Sequence, residues 1–222
     1  MITKPKGLRK LFSYLYEYDI RHFKGEYNND LTLSFYKNRW KLSTKNAVYS
    51  FEDLYTVYLA AFELLGFKTK KINNTLCLGF GLGSIPIILN QKYNVQNFIG
   101  IENDIEIIKL FNELYTERDL GKLKLIHSDA HSFVEKYDNE NFDLITLDIF
   151  VDTKIPSQFE DIAFIKKLRS MLSADGILLF NRLTTPKEKS KTISYYKNIF
   201  RKVFTDSKAL VINQNLMLCG FN

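Results

Sequence analysis

The sequence has few of the residues that build disulfide or metal frameworks: of its 222 residues, two are cysteine and three are histidine. Cys77 and Cys219 each sit in an apolar run without a CxxC neighbour. They read as reduced core residues of a cytoplasmic protein rather than as a redox or disulfide pair. Three scattered histidines make no zinc set, so no metal is expected, and neither a Ser-His-Asp nor a Cys-His arrangement can be assembled. No apolar run approaches the roughly 20 residues of a membrane-spanning helix. The opening stretch, MITKPKGLRKLFSYLYEYDI, is basic at its start but has no uninterrupted apolar region and no small-residue cleavage site. No membrane association is expected. Internal repeats, low-complexity linkers and coiled-coil heptads are also missing.

What remains is an ordinary soluble composition with an uneven charge. The formal net charge is +6. Residues 1–50 hold ten Lys or Arg against four Asp or Glu, whereas the remainder carries twenty-one of each. Such an excess attracts anions, nucleic acid included. No aromatic-basic repeat or nucleic-acid motif accompanies it, so a solvated lysine-rich surface is the preferred reading. The length suits one full α/β domain with a small extra module.

The chain is organised around residues 74–104. An apolar run, Thr75 to Leu78, reads as a buried strand and leads into Gly79, Gly81 and Gly83, after which Ser84 to Tyr93 can turn back as a helix. Glycines there let a ligand approach the backbone and permit positive φ. A second strand, Asn97 to Ile101, ends in Glu102, about twenty residues beyond the glycines, which is where a ribose-binding carboxylate belongs. Gly79-Phe80-Gly81-Leu82-Gly83-Ser84 departs from the dinucleotide GxGxxG spacing and is closer to the GxGxG of S-adenosylmethionine-binding proteins. A plain alternative is a tight turn, with Glu102 as a helix cap.

Around this unit, Leu31–Phe35 and Trp40–Ser43 alternate about a Lys37-Asn38 turn and predict a hairpin. Residues 8–27 have no clean period and read as a short helix or strand. Ser50, with Glu52 and Asp53, is expected to cap a helix bearing Leu54, Val57, Tyr58, Ala61, Phe62 and Leu65, which Gly66 would end. Then come a helix from Asp104 to about Glu117, a strand Leu123–His127, a short helix from Ala130 and a strand Phe142–Leu147. A helix from about Ser157 to Leu172, a strand Gly176–Phe180 and a helix Lys187–Phe200 complete the alternation. Two last apolar runs, Ala209–Ile212 and Leu216–Cys219, predict an antiparallel hairpin. The expected fold is α/β: a doubly wound, mostly parallel sheet with a C-terminal antiparallel hairpin and a small N-terminal β-hairpin module. The expected division is 1–48 for that module and 49–222 for the Rossmann-like domain.

In such sheets ligands bind beyond the carboxyl ends of the strands. Those ends carry the glycine loop, Glu102, Asp129 and Asp148. Glu102 could accept the ribose hydroxyls, and Asp129 with the Ala130 backbone could read an adenine; Asp129 could equally cap the helix at Ala130. Asp148 ends a strongly apolar strand, facing the place where a sulfonium would meet its acceptor. Asp152 in the next loop and Tyr49 before Ser50 are weaker substrate candidates, with solvation and packing as their plain alternatives. His127 and His131 read as strand-end and helix-surface residues.

From about residue 30 to 182 the segments LCLGFGLGSIPIIL, IGIEND, LIHSDAHSFV, FDLITLDIF and ILLFN, following a hairpin before Tyr49-Ser50, resemble the spermidine synthase-like group of the class I methyltransferase fold. Cys77, two residues before the first glycine, matches the apolar residue that spermidine synthases place there. The likeness implies a Rossmann-like methyltransferase fold, S-adenosylmethionine or its decarboxylated form as cofactor, and a possible homodimer. The family's Asp-Ser-Ser-Asp-Pro loop is here Asp148-Ile149-Phe150-Val151-Asp152, which keeps the first Asp and puts the second one place late. Its acidic pair before Tyr-His-Glu is replaced by Lys45-Asn46, and Tyr49-Ser50-Phe51 keeps only the tyrosine. A diamine dication needs acidic walls at both ends. The departures therefore favour methyl transfer to a small, partly apolar acceptor, with Asp148 orienting or deprotonating it. Aminopropyl transfer is the alternative, with Glu17, Asp19 or Glu26 replacing the missing pair. A non-catalytic scaffold whose basic amino terminus engages a partner is the third.

Overall fold

The computed structural model describes residues 2–116, 120–138 and 141–222. Two sheets organise them. The first follows a six-residue helix, α1 (Gly7–Phe12), and comprises β1 (Tyr18–Phe23), β2 (Leu31–Tyr36), β3 (Arg39–Ser43) and β4 (Val48–Ser50), antiparallel in that order. The expected hairpin is its centre. Lys37 and Asn38 both take left-handed φ, 49° and 60°, the combination whose twist matches that of paired strands. Alternation buries Leu31, Leu33 and Phe35 against Trp40 and Leu42. Residues 8–27 prove to hold both a helix and a strand.

Ser50 does not cap the next helix. It closes β4, and its hydroxyl shares a 2.6 Å hydrogen bond with that of Ser84. Glu52 is also engaged, accepting from the Trp40 amide at 2.8 Å and pairing with Lys4 at 2.7 Å. With both side chains taken, a 3-10 turn (Glu52–Leu54) intervenes and α2 (Thr56–Leu64) begins at an uncapped Tyr55. Gly66, at φ 68°, ends it as expected.

The second sheet has seven strands in the order β10-β11-β9-β8-β5-β6-β7. The chain enters at β5 (Asn74–Leu78) and moves outward through α3 (Ser84–Tyr93), β6 (Asn97–Glu102), α4 (Ile105–Leu114) and β7 (Lys122–His127). It crosses by α5 (Ala130–Lys136) to β8 (Phe142–Leu147) on the other side of β5, and continues through α6 (Ile162–Ser170), β9 (Leu172–Leu183) and α7 (Lys189–Tyr195). β5 through β9 are parallel; the closing hairpin, β10 (Ser207–Ile212) and β11 (Asn215–Phe221), is antiparallel. The reversal at β5 is the topological switch where such sheets bind ligands.

Helix ends differ from expectation. α4 stops at Leu114 because Tyr115 turns extended and stacks on Phe111 at 5.2 Å; Glu117 lies outside the described residues. The stretch 157–172 splits into a 3-10 turn and α6. Asp161, at ψ 138°, breaks the path and caps α6 by accepting from the Ala163 amide at 3.0 Å. Leu172 already belongs to β9, longer at both ends than the expected Gly176–Phe180. α7 starts two residues late and passes into a π-helical segment, Tyr196–Phe200.

Helices cover both sheet faces. On one, α2, α3, α4 and the N-terminal sheet pack with Cys77; on the other, α5, α6 and Phe200 pack with Leu76 and Leu78. β5 is thus buried on both sides, which is why it reads as a continuous apolar run. Among the described residues no helix is long and apolar enough to cross a membrane, and no cluster of three or more His, Cys, Asp or Glu could hold a metal ion.

Candidate active site

The glycine loop is shaped from below. Phe80 turns its ring into the core, packed edge-on to Phe111 at 5.0 Å, and fills the space over Gly100, where a Cβ would lie 2.4 Å from the ring. The loop backbone is thereby left facing outward. Gly79, at φ 82°, comes so near strand β8 that a Cβ would meet the Asp148 carbonyl at 2.3 Å. Gly79 and Gly81 both line the cavity above the sheet. Gly83 does not: it precedes α3 in left-handed conformation, and a Cβ would strike Phe80 at 2.9 Å. Of the three glycines expected to make room for the ligand, the third serves packing instead.

The cavity, of about 360 Å³, lies at the carboxyl ends of β5, β6, β7 and β8, within the range usual for a small-molecule site. It gathers Glu102, Asp129, Ala130, Asp148 and Tyr49 as the sequence anticipated. Glu102 is buried. Its Oε2 accepts from the Gly81 amide at 2.9 Å, and Oε1 from the amides of Asn103 and Asp104 at 3.0 and 3.1 Å. Burial raises its pKa and the three amides oppose the rise. Glu102 therefore ties the glycine loop to the end of β6; the helix cap is Asp104, which accepts from the Glu106 amide at 3.0 Å. Asp129 caps α5 through the Ser132 amide at 2.8 Å and lines the cavity as well, so its two readings coexist.

Asp148 sits at the cavity floor. Its Oδ2 accepts from the Tyr55 hydroxyl and its Oδ1 from Asn181 Nδ2, each at 2.9 Å. Desolvation raises its pKa from 3.8 to about 6, against the two hydrogen bonds, which lower it. Each oxygen keeps a lone pair for a ligand. The group is therefore poised to exchange a proton near neutrality.

Asp152 is placed differently from its expected role. Its carboxylate accepts from Thr44 Oγ1 at 3.1 Å and Asn46 Nδ2 at 3.1 Å, both in the N-terminal sheet's last turn, and it does not line the cavity. Its backbone N–H donates to the Tyr49 hydroxyl at 2.7 Å, and that hydroxyl donates to Asn28 Oδ1 at 3.0 Å. Burial raises the Tyr49 pKa to about 12, so the phenol stays protonated. Glu17, Asp19 and Glu26, the acids that could have replaced the family's acidic pair, do not line the cavity. Glu17 is held by Lys41 at 2.8 Å, and Asp19 lies 3.5 Å from His22. Among the described residues, none of these three acids takes the place of the pair missing at Lys45-Asn46 in the cavity lining. Among the described residues no Lys, Arg or His lines the cavity, whereas Glu102, Asp104, Asp129 and Asp148 do.

Residues 24–30, between β1 and β2, cross the cavity mouth. Tyr27 and Asn28 line it, and the Glu26 amide donates to Asp104 Oδ2 at 2.9 Å. Their involvement escaped the sequence reading because nothing periodic marks this loop. Tyr55 and Asn181 were missed too. Asn181 had a signal: it follows the strand ILLF, whose Phe180 pairs with Leu147, and so stands level with Asp148.

The family model described as the spermine/spermidine synthase domain matches residues 53–214. The chain belongs to that family. This synthase-family chain is 22% identical over 136 residues to a polyamine aminopropyltransferase of Vibrio vulnificus, a match covering 60% of the chain and 46% of the relative. It thus spans about half the length of that curated relative. Among solved structures, a probable spermidine synthase from Corynebacterium glutamicum superposes with a TM-score of 0.73 at 18% identity, covering 90% of this chain and 79% of the other. Human methyltransferase-like protein 13 in complex with SAH gives 0.60 at 16% identity, covering 73% and 81%. The spermidine synthase-like variant of the methyltransferase fold is therefore as the sequence indicated.

Proposed function

We propose that the chain is an aminopropyltransferase that takes decarboxylated S-adenosylmethionine and an amine acceptor. The observation that carries this reading is the charge of the cavity lining: four carboxylates and, among the described residues, no cationic side chain. S-adenosylmethionine would bring its own carboxylate into this acidic space. The amides of Gly79 and Phe80 are already given to the Ile101 carbonyl and that of Gly81 to Glu102, so these three do not offset that charge. An uncompensated buried carboxylate costs several kcal/mol, on the order of a thousandfold in affinity. The decarboxylated form carries an ammonium and a sulfonium and no anion, so the same lining attracts it. Methyl transfer, the first expectation from sequence, gives way on this ground, and the names of the curated relatives point the same way.

The residues fit the ligand in other respects. Glu102 stands where ribose hydroxyls would bind, Ala130 and Ile107 supply apolar surface for a base, and Asp129 an acceptor beside it. When bound, the sulfonium supplies an activated carbon: the acceptor nitrogen's lone pair forms the C–N bond as the C–S pair returns to sulfur. Asp148 takes a proton from the bound ammonium, which frees that lone pair, and orients the amine for attack, while the alkylated nitrogen keeps its remaining protons. Tyr55 and Asn181 hold the carboxylate for this role, and alignment of nucleophile and carbon supplies much of the acceleration.

Calorimetric titration with each form of the nucleoside tests the reading. The decarboxylated form is expected to bind at least about tenfold more tightly, and 5′-methylthioadenosine should appear when an amine is added. Equal or tighter binding of S-adenosylmethionine would refute it.

A further inference from the structure

Resting on the aminopropyl reading, we infer that the acceptor is an amine with one charged nitrogen and an uncharged far end, a monoamine rather than a diamine. An ammonium needs hydrogen-bond acceptors and, when desolvated, an anion. Asp148 provides these at the reacting end. Beyond it the wall is built from Phe150, Val151, Tyr49 and Asn28, none of them charged, and its side-chain acceptors already serve other groups. Asn28 Oδ1 accepts from Tyr49 and, at 3.2 Å, from the Asp152 amide; the Tyr49 hydroxyl accepts from that same amide; the Val151 carbonyl accepts from the Lys154 amide at 3.1 Å.

The acid that follows Val151 in the chain is turned from this wall. Asp152 has a left-handed backbone, φ 54°, and its carboxylate is fastened outside the cavity by Thr44 and Asn46. Val151 occupies the cavity-facing place instead. A second ammonium would meet a valine, a phenylalanine and uncharged polar groups already engaged with one another. An alkyl or other neutral end would bury apolar surface against the same side chains.

The test is calorimetric titration of 1-aminopentane and 1,5-diaminopentane into protein saturated with 5′-methylthioadenosine, for the wild type, Val151→Asp and Val151→Asn. The monoamine is expected to bind the wild type at least about tenfold more tightly than the diamine. Val151→Asp should reverse the order, and Val151→Asn, similar in size but uncharged, should leave it as in the wild type. Tighter binding of the diamine to the wild type, binding of neither amine, or reversal by Val151→Asn as well would overturn the inference. Turnover with decarboxylated S-adenosylmethionine is read separately. If none of the amines releases 5′-methylthioadenosine, the aminopropyl reading fails; if the diamine is the better substrate, only the acceptor class does.

Discussion

Replacing Asp148 by Asn gives a pH signature whose size follows from the site. The wild-type carboxyl has a pKa raised from 3.8 to about 6 by desolvation. The folded chain therefore holds the proton more firmly than the unfolded chain, and the stability this contributes is complete below pH 3.8 and lost as pH rises to about 6. At 1.36 kcal/mol per unit, the loss is up to about 3 kcal/mol; cavity water reaching the partly buried carboxylate makes this an upper bound. Asn does not titrate. In urea unfolding at a series of pH values without ligand, stability of wild type minus that of Asp148→Asn should fall by up to about 3 kcal/mol between about pH 4 and pH 6.5, then level off. A difference independent of pH, or one that rises with pH, would refute the account of Asp148 as a desolvated carboxyl held by Tyr55 and Asn181.

The same group sets the catalytic profile: kcat/KM should fall tenfold per unit below about pH 6, and the limb in kcat should lie lower, because a bound cation favours the carboxylate. Glu102→Gln removes the charge on which three backbone amides converge, and nucleoside affinity should drop about tenfold or more by calorimetry; an unchanged affinity would separate Glu102 from the ligand. Gly25→Ala would set a Cβ 2.0 Å from Asp104 Oδ2, so the loop at the cavity mouth must move, with weaker nucleoside binding and roughly 1–3 kcal/mol lost in unfolding. Burial pushes both the Cys77 and Cys219 thiols up to about 12. A disulfide-exchange reagent should label neither in the native protein and both in urea.

The parallel sheet was legible because its signals are local: apolar runs of strand length, glycines where β5 ends and acids at the ends of β6, β7 and β8. Glu102, Asp129 and Asp148 followed from strand ends alone. Long-range partners were not legible. Ser50 looked like a cap until Ser84, 34 residues on, was seen to share its hydroxyl. Asp152 looked available to a ligand, yet Thr44 and Asn46 hold it, and nothing in the sequence marked Tyr55 as the partner of Asp148, 93 residues on. In each case the deciding hydrogen bond joins segments brought together by folding, and neither composition nor period carries its trace. Helix ends failed for a related reason: Asp161 and Tyr115 break backbone paths that the hydrophobic pattern alone would continue.

The joint at Asn28, Tyr49 and Asp152 divides inheritance within the site. On the proposed reading, the residues that would face the nucleoside come from the parallel sheet, while Tyr49, Tyr27 and Asn28 are lent by the N-terminal strands and the loop between β1 and β2. Tyr27 and Asn28 line the cavity from a segment remote in sequence from Glu102, Asp129 and the glycine loop. On that reading, substitutions at wall side chains that face only the acceptor, such as Val151, would change the acceptor while leaving the hold on the donor, whereas those at Gly25, packed on Asp104, would disturb both.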